Sequence, residues 1–97
     1  MPTFVSLINY TDKGIREISD SPKRLDLAKK ILKEMGGEIK DFYLTIGSYD
    51  IIVVAEAPSD EIFAKFLLEV GSTERIRTNT LKAFPEADYR KIIEELP

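Results

Sequence analysis

A carboxylate directly ahead of a purely apolar run is the feature of this sequence with the most chemical potential: Asp50, preceded by Tyr49 and followed by Ile51-Ile52-Val53-Val54-Ala55. Such a group must find hydrogen-bond donors or lie at the end of a sheet, because an unpaired charge among aliphatic side chains is costly. At a pocket mouth, with Tyr43 across a hairpin, Asp50 would serve as a base or as a ligand's acceptor. Alternatively it satisfies backbone amides of the turn while Tyr49 packs at the sheet edge, as short polar side chains commonly do. Thr11-Asp12-Lys13-Gly14-Ile15-Arg16 offers a second place, where Lys13, Arg16 and loop amides could hold an anion. It lacks the paired glycines and spacing of a phosphate loop, and a solvated turn with a local ion pair accounts for the same residues. Arg75 and Arg77 alternate on one face of a strand. Arg77 could reach over the sheet to a carboxylate ligand or to Asp50; equally, both charges could serve to block further strand pairing.

The residue types that are missing narrow the chemistry further. The chain has no cysteine and no histidine. That removes disulfides, Cys/His zinc sites, thiol catalysis, a Ser-His-Asp arrangement and histidine-ligated haem. Acid–base work would fall to carboxylates, lysine or tyrosine with shifted pKa values. No metal or cofactor is expected. A net charge of −3 with interspersed signs argues against a nucleic-acid partner held through phosphates. No apolar run reaches the roughly 18 residues of a membrane span, and no export segment opens the chain, so the expected location is the cytoplasm. Glutamine is absent and asparagine scarce, while Ile, Lys and Glu abound, which leans towards a thermophilic source.

The elements that must position these residues follow from periodicity. Thr3–Tyr10 is β-branched and aromatic, with apolar groups on both alternating faces, and reads as a strand. Thr11–Gly14 reads as a turn and Ile15–Ile18 as a short connector. Ser21-Pro22 predicts a helix start, the hydroxyl capping and proline at the first helical position. Leu25, Ala28, Ile31, Leu32 and Met35 then share a face until Gly36-Gly37. The basic residues of this helix, Lys23, Arg24, Lys29, Lys30 and Lys33, read as a solvated face. Strands are expected at Ile39–Ile46 and Tyr49–Ala57, joined tightly through Gly47-Ser48. A helix opens at Ser59 and carries Ile62, Phe63, Phe66, Leu67 and Val70 on its buried stripe to Gly71. Thr73–Phe84 reads as a polar edge strand. From Pro85 a terminal helix aligns Tyr89, Ile92, Ile93 and Leu96.

The order β, α, β, β, α, β with a C-terminal helix predicts an α+β, ferredoxin-like fold: a four-stranded antiparallel sheet, first and third strands central, helices on one face. The 97 residues read as one domain, 1–97, without a linker or repeat. Two helices cover only one side of such a sheet, yet both central strands are apolar on both sides. The uncovered face would be an exposed hydrophobic patch, and a second copy is the simplest cover. A homodimer, or a larger assembly of dimers, is the expected partner state.

Gly47-Ser48-Tyr49-Asp50, followed by Glu56-Ala57-Pro58 and Asp60-Glu61, resembles the element for which the GYD-domain family is named. Tyr10–Arg16, Ser21-Pro22-Lys23-Arg24, Arg77-Thr78-Asn79-Thr80-Leu81 and Ala83-Phe84 fit the same pattern, so the likeness spans nearly the whole chain. Glu74 departs from it, because the family pattern implies a glycine in that turn. The resemblance implies a ferredoxin-like fold of the dimeric α+β barrel type and fixes no reaction, since fold alone does not carry function. Three roles stay open. The first is a self-associating module holding a small organic ligand between sheet and helices, with Tyr43, Tyr49, Asp50, Arg77, Lys13 and Arg16 as its candidate contacts. The second is a cofactor-independent oxygenase- or isomerase-like enzyme using a carboxylate and a tyrosine. The third is a purely structural self-assembly protein.

Overall fold

The computed structural model describes residues 1–97 and contains one four-stranded antiparallel sheet in the order β2-β3-β1-β4. Its strands are β1 (Thr3–Tyr10), β2 (Glu38–Leu44), β3 (Ile51–Glu56) and β4 (Ile76–Ala83). The helices are α1 (Asp12–Arg16), α2 (Ser21–Glu34), α3 (Asp60–Gly71) and α4 (Glu86–Glu94). The architecture is therefore α+β and ferredoxin-like, with β1 and β3 central as their two-sided apolar pattern requires. Register sets what each face carries. Val5 pairs with Val54 and Leu81, and Leu7 with Ile52 and Asn79, which puts these side chains on the open face. Phe4, Ser6 and Ile8 alternate with them and point to the helices.

The core lies between the sheet and α2/α3. Phe4, Ile8, Ile51, Val53 and Ala55 from the strands meet Leu32, Phe63 and Phe66 from the helices. Phe63 is 2% exposed and stacks on Phe4 with ring centroids 4.3 Å apart. Ser6, the buried polar side chain of β1, is hydrogen-bonded across the sheet to Thr80 Oγ1 at 2.8 Å, so its burial leaves no group unpaired.

Local structure departs from the sequence expectation in several places, each with a visible cause. The segment after β1 is not a turn but the short helix α1, because Thr11 Oγ1 accepts from Gly14 N at 3.1 Å and caps it. Gly14 is needed there, since a Cβ would collide with the Arg75 carbonyl oxygen. Ser21 does not cap α2. A 3-10 turn over Ile18–Asp20 runs straight into the helix, and the Ser21 hydroxyl pairs instead with Tyr10 Oη at 2.8 Å. The β2–β3 hairpin is longer than a two-residue turn: Thr45 N donates to Asp50 O and Thr45 Oγ1 to Tyr49 O, closing a loop over residues 46–49. Both strands are shortened accordingly. At the end of α2, Gly36 takes φ +89 and the amide of Gly37 returns to Leu32 O, which ends the helix. After α3 the left-handed residue is not Gly71 but Glu74, at φ +63, and β4 starts only at Ile76.

The terminal helix α4 carries its apolar face as expected but buries none of it. Tyr89, Ile92, Ile93 and Leu96 remain between 45% and 61% exposed, and α4 does not cover the open face of its own sheet. No helix is long and apolar enough to cross a membrane.

Candidate functional site

Asp50 ends the β1–β3 ladder. Its amide donates to Ile8 O at 2.9 Å and approaches Asn9 Oδ1 at 3.2 Å, while its Oδ2 accepts from Tyr10 N at 3.0 Å. The carboxylate thus takes the place of a strand carbonyl where β3 has run out, and serves a backbone amide of β1 rather than one in the hairpin turn. Tyr49 lies beside it and extends over β1, because its hydroxyl accepts from Asn79 Nδ2 of β4 at 3.3 Å. Tyr43 stands on the open face opposite Ile52, 58% exposed. Arg77 is exposed in β4 opposite Asn9, and no salt bridge links it to Asp50. Lys13 and Arg16 lie on the short helix α1 that follows β1.

The sheet's helix side holds something the candidate residues do not touch. A cavity of about 310 Å³ lies between the sheet and helices α2 and α3, within the size range of small-molecule sites. Ile8, Ile51 and Val53 form its floor, and Leu25, Ala28, Ile31, Phe66 and Val70 its walls. Helix spacing explains the α2 wall: Ser21, Arg24, Leu25 and Ala28 recur at i, i+3, i+4 and i+7, so all four face inward. None of Tyr43, Tyr49, Asp50, Arg77, Lys13 or Arg16 lines this cavity. Asp50 and Arg77 therefore do not meet in it.

Polar groups gather around one part of the lining. Tyr10 and Ser21 bring their paired hydroxyls, and Arg24 and Arg75 bring two guanidinium groups. Arg75 is engaged by Glu17, whose Oε1 accepts from Nε at 3.3 Å and Nη2 at 3.0 Å. These bonds, helped by the nearby charges of Lys13 and Arg24, hold the Glu17 carboxyl below its ordinary pKa despite partial desolvation. Arg24 Nη1 donates to the Glu17 carbonyl at 3.0 Å, while its Nη2 is buried without a partner. Sequence reasoning placed Arg24 with the solvated lysines of α2. The signal it passed over is position: Arg24 precedes Ala28 by four residues and Ile31 by seven, so it falls on the apolar stripe.

Comparison with known proteins agrees with this architecture. A Thermus thermophilus protein named glutamine synthetase and cystathionine beta-lyase binding protein is 32% identical over 89 residues, which cover 91% of this chain and 94% of that one. Among solved structures, a feast or famine regulatory protein from M. tuberculosis complexed with L-methionine superposes with a TM-score of 0.67 at 15% identity. That match covers 88% of this chain and 51% of the other, so this chain spans about half its length. A hypothetical protein from Pyrococcus horikoshii gives a TM-score of 0.57 at 25% identity, over 88% of this chain and 92% of that one. The GYD domain model matches residues 4–93. With that match running from the second residue of β1 into the last turn of α4, the chain belongs to the GYD-domain family.

Proposed function

We propose that this protein is a self-associating binding module that holds a small, largely apolar organic ligand between its sheet and helices α2 and α3. The observation that carries the reading is the cavity itself. A half-open cleft of about 310 Å³ is lined there by aliphatic and aromatic side chains with a few polar groups among them, the make-up of a small-molecule site. The residues around it are suited to binding rather than to turnover. Asp50, the carboxylate best placed in the sequence for chemistry, is occupied by the Tyr10 amide outside the cavity.

Self-association is the second half of the reading and rests on the open face. Val5, Leu7, Ile52 and Val54 present aliphatic surface there, flanked by Tyr43 and Leu81, both more than half exposed. The chain's own C-terminal helix leaves that surface uncovered, so a second copy placed sheet to sheet supplies what one chain lacks. A role towards other proteins is supported by the name of the Thermus relative, which describes a binding protein for two enzymes. It is also supported by the apolar projections of the β2–β3 hairpin, where Ile46 is fully exposed and Leu44 74% exposed. A module of this kind would couple a ligand in the cavity to the proteins docked outside.

Native mass spectrometry tests both halves on the protein purified without added ligand. The expected result is an even-numbered assembly retaining a small organic molecule on each chain. A bare 11.0 kDa species at micromolar concentration, unable to take up any apolar small molecule, would overturn the reading.

A further inference from the structure

α4 is the element that its own chain leaves without a partner. It does not pack substantially on any other helix or strand, and its side-chain bond, Arg90 Nε to Glu86 Oε2 at 2.7 Å, stays within the helix. A helix of 9 residues is too short to stand alone in water, where even good formers need about 12–15. Tyr89, Ile92, Ile93 and Leu96 are nevertheless all exposed, at the i, i+3, i+4 and i+7 spacing of a helix that docks on an apolar surface. The chain is correspondingly extended. Its radius of gyration is 14.6 Å, against about 12.5 Å for a compact domain of this length. A second unpartnered apolar surface lies at the mouth of the cavity. Leu27 of α2 and Phe42 of β2 are the exposed apolar residues of the lining, and half-buried Ile39 lies on the same side of β2 as Phe42, across a bulge. β2 is an edge strand, so this strip sits at the rim of the sheet. Lys23 and Lys30 stand one turn either side of Leu27, and α2 carries five basic side chains to two acidic. From Glu86 to Glu95 the balance is opposite, four acidic to two basic.

Resting on the reading of the protein as self-associating through its open face, we infer that α4 of one copy docks on the Leu27–Ile39–Phe42 strip of a second copy and closes the mouth of its cavity. Register supplies the route. Val54 and Val5 share one row of the open face, and Ile52 and Leu7 the next. A two-fold axis along the strands, between β3 and β1, stacks Val54 of each copy on Val5 of the other, and Ile52 on Leu7. An axis across the strands would instead set the Glu56 end of β3 against the Asp50 end of its copy, where like charges meet. The first axis reverses the strand order, so β4 of one copy lies over β2 of the other. Ala83, at the end of β4, shares a row with Thr3, Glu56 and Glu38, so α4 starts beside the first residues of the other copy's β2. Turned back along that rim, its 9 residues rise about 13 Å, the length of about four strand residues, and reach the level of Phe42. Its acidic residues then meet the basic face of α2. Four apolar side chains bury too little to hold two chains by themselves, so the helix docks only within the sheet-to-sheet pair.

The chain has no cysteine, so mixing two single-cysteine variants reports contacts between copies alone. Leu27→Cys mixed with Ile93→Cys and left to exchange subunits should form a mixed disulfide on mild oxidation. It should do so at least about tenfold faster than Leu27→Cys mixed with Leu68→Cys, a control on the exposed side of α3. In the parent protein the amides of α4 should be protected from hydrogen exchange, and Lys30→Glu should lower that protection. Exchange of those amides at the rate of an unfolded peptide would overturn the docking without any variant, and would leave the helix for a different protein partner. A link from Ile93→Cys to Ile52→Cys in its place would overturn it by setting α4 on the open face. A link between Leu7→Cys and Ile52→Cys, with none between Leu27→Cys and Ile93→Cys, would keep the sheet-to-sheet pair and overturn the docking alone. No link in any mixture, with an 11.0 kDa species in sedimentation, would sink self-association itself and the inference with it.

Discussion

On the helix side of the sheet Phe4, Ile8, Ile51, Val53 and Ala55 are buried; on the other side Val5, Leu7, Ile52 and Val54, from the same two strands, are only half-buried. The strands supply similar aliphatic content to both faces, so the difference comes from what the rest of the chain can lay over them. Two helices reach one face, and even there they leave a cavity between them; the third long helix, α4, covers neither. Only nine hydrophobic residues reach full burial, which gives a single copy little apolar stabilisation to set against chain entropy. The covered face keeps a cavity, and the uncovered face keeps apolar surface that one chain does not fully bury.

The largest effect should come from a charge on the open face. In Ile52→Lys a sheet-to-sheet pair would have to enclose an ammonium group from each chain, an arrangement that costs several kcal/mol per ion, on the order of the contact it replaces. The variant should sediment as the 11.0 kDa chain, and its own folding should lose only about 1–2 kcal/mol, because Ile52 is half-buried on a central strand in one copy. Unchanged sedimentation would show that association uses another surface. On the covered face, Phe63→Ala should cost about 3–5 kcal/mol in denaturant unfolding, because it removes a ring stacked on Phe4 and packed on Phe66. Ligand uptake should fall with it, since Phe63 also lines the cavity.

Smaller effects separate backbone roles from surface roles. Asp50→Ala strips the Tyr10 amide of its acceptor and should cost about 1–3 kcal/mol, whereas Asp50→Asn retains a side-chain oxygen and should cost about 1 kcal/mol or less. Neither should change the affinity of a ligand in the cavity, because Asp50 does not line it. A variant that melts like the parent but no longer holds its ligand would return Asp50 to the functional site. Glu74→Gly relieves a side chain held at φ +63 and should stabilise the fold by about 0.5–1 kcal/mol, once the greater freedom of glycine in the unfolded chain is counted. Its carbonyl, which accepts from Thr11 Oγ1, is retained in that variant.

What could be read from the sequence was whatever periodicity governs. The apolar stripes of α2 and α3, the two-sided apolar pattern of β1 and β3 and the polar character of β4 were legible, and together they dictate the strand order. Boundaries set by side-chain-to-backbone bonds were not. Thr11 turns an expected loop into α1, Thr45 lengthens the hairpin, and a continuous 3-10 entry frees Ser21 from capping. The cavity was not legible either, because it depends on how far α2 and α3 stand apart, which no local pattern encodes. Arg24 illustrates the limit. Its charge drew attention to the solvated face of α2, and its position on the apolar stripe mattered more. Glu74 illustrates the reverse: the missing glycine was visible in sequence, and the backbone keeps the left-handed conformation without it.

The smallest effect is set by pH and falls on Glu17, the residue that ties α1's C-terminal end to Arg75 at the start of β4. Hydrogen bonds from Arg75 lower the Glu17 pKa in the folded protein, with the charges of Arg75, Lys13 and Arg24 adding to the shift. A depressed folded pKa means that the unfolded chain binds the proton more readily, so acid favours unfolding. The contribution is complete above the unfolded pKa of an ordinary glutamate and fades as pH falls through the lower, folded value. Both Glu17 and Arg75 are partly solvated, and the contribution should be correspondingly modest and should weaken with salt. Thermal unfolding followed from about pH 7 down to about pH 3 should therefore show a shallower acid decline in Glu17→Gln than in the parent. The two profiles should converge at the acid end, where Glu17 is protonated in both states of the parent. An identical slope in both proteins would mean that Arg75 gains nothing from Glu17.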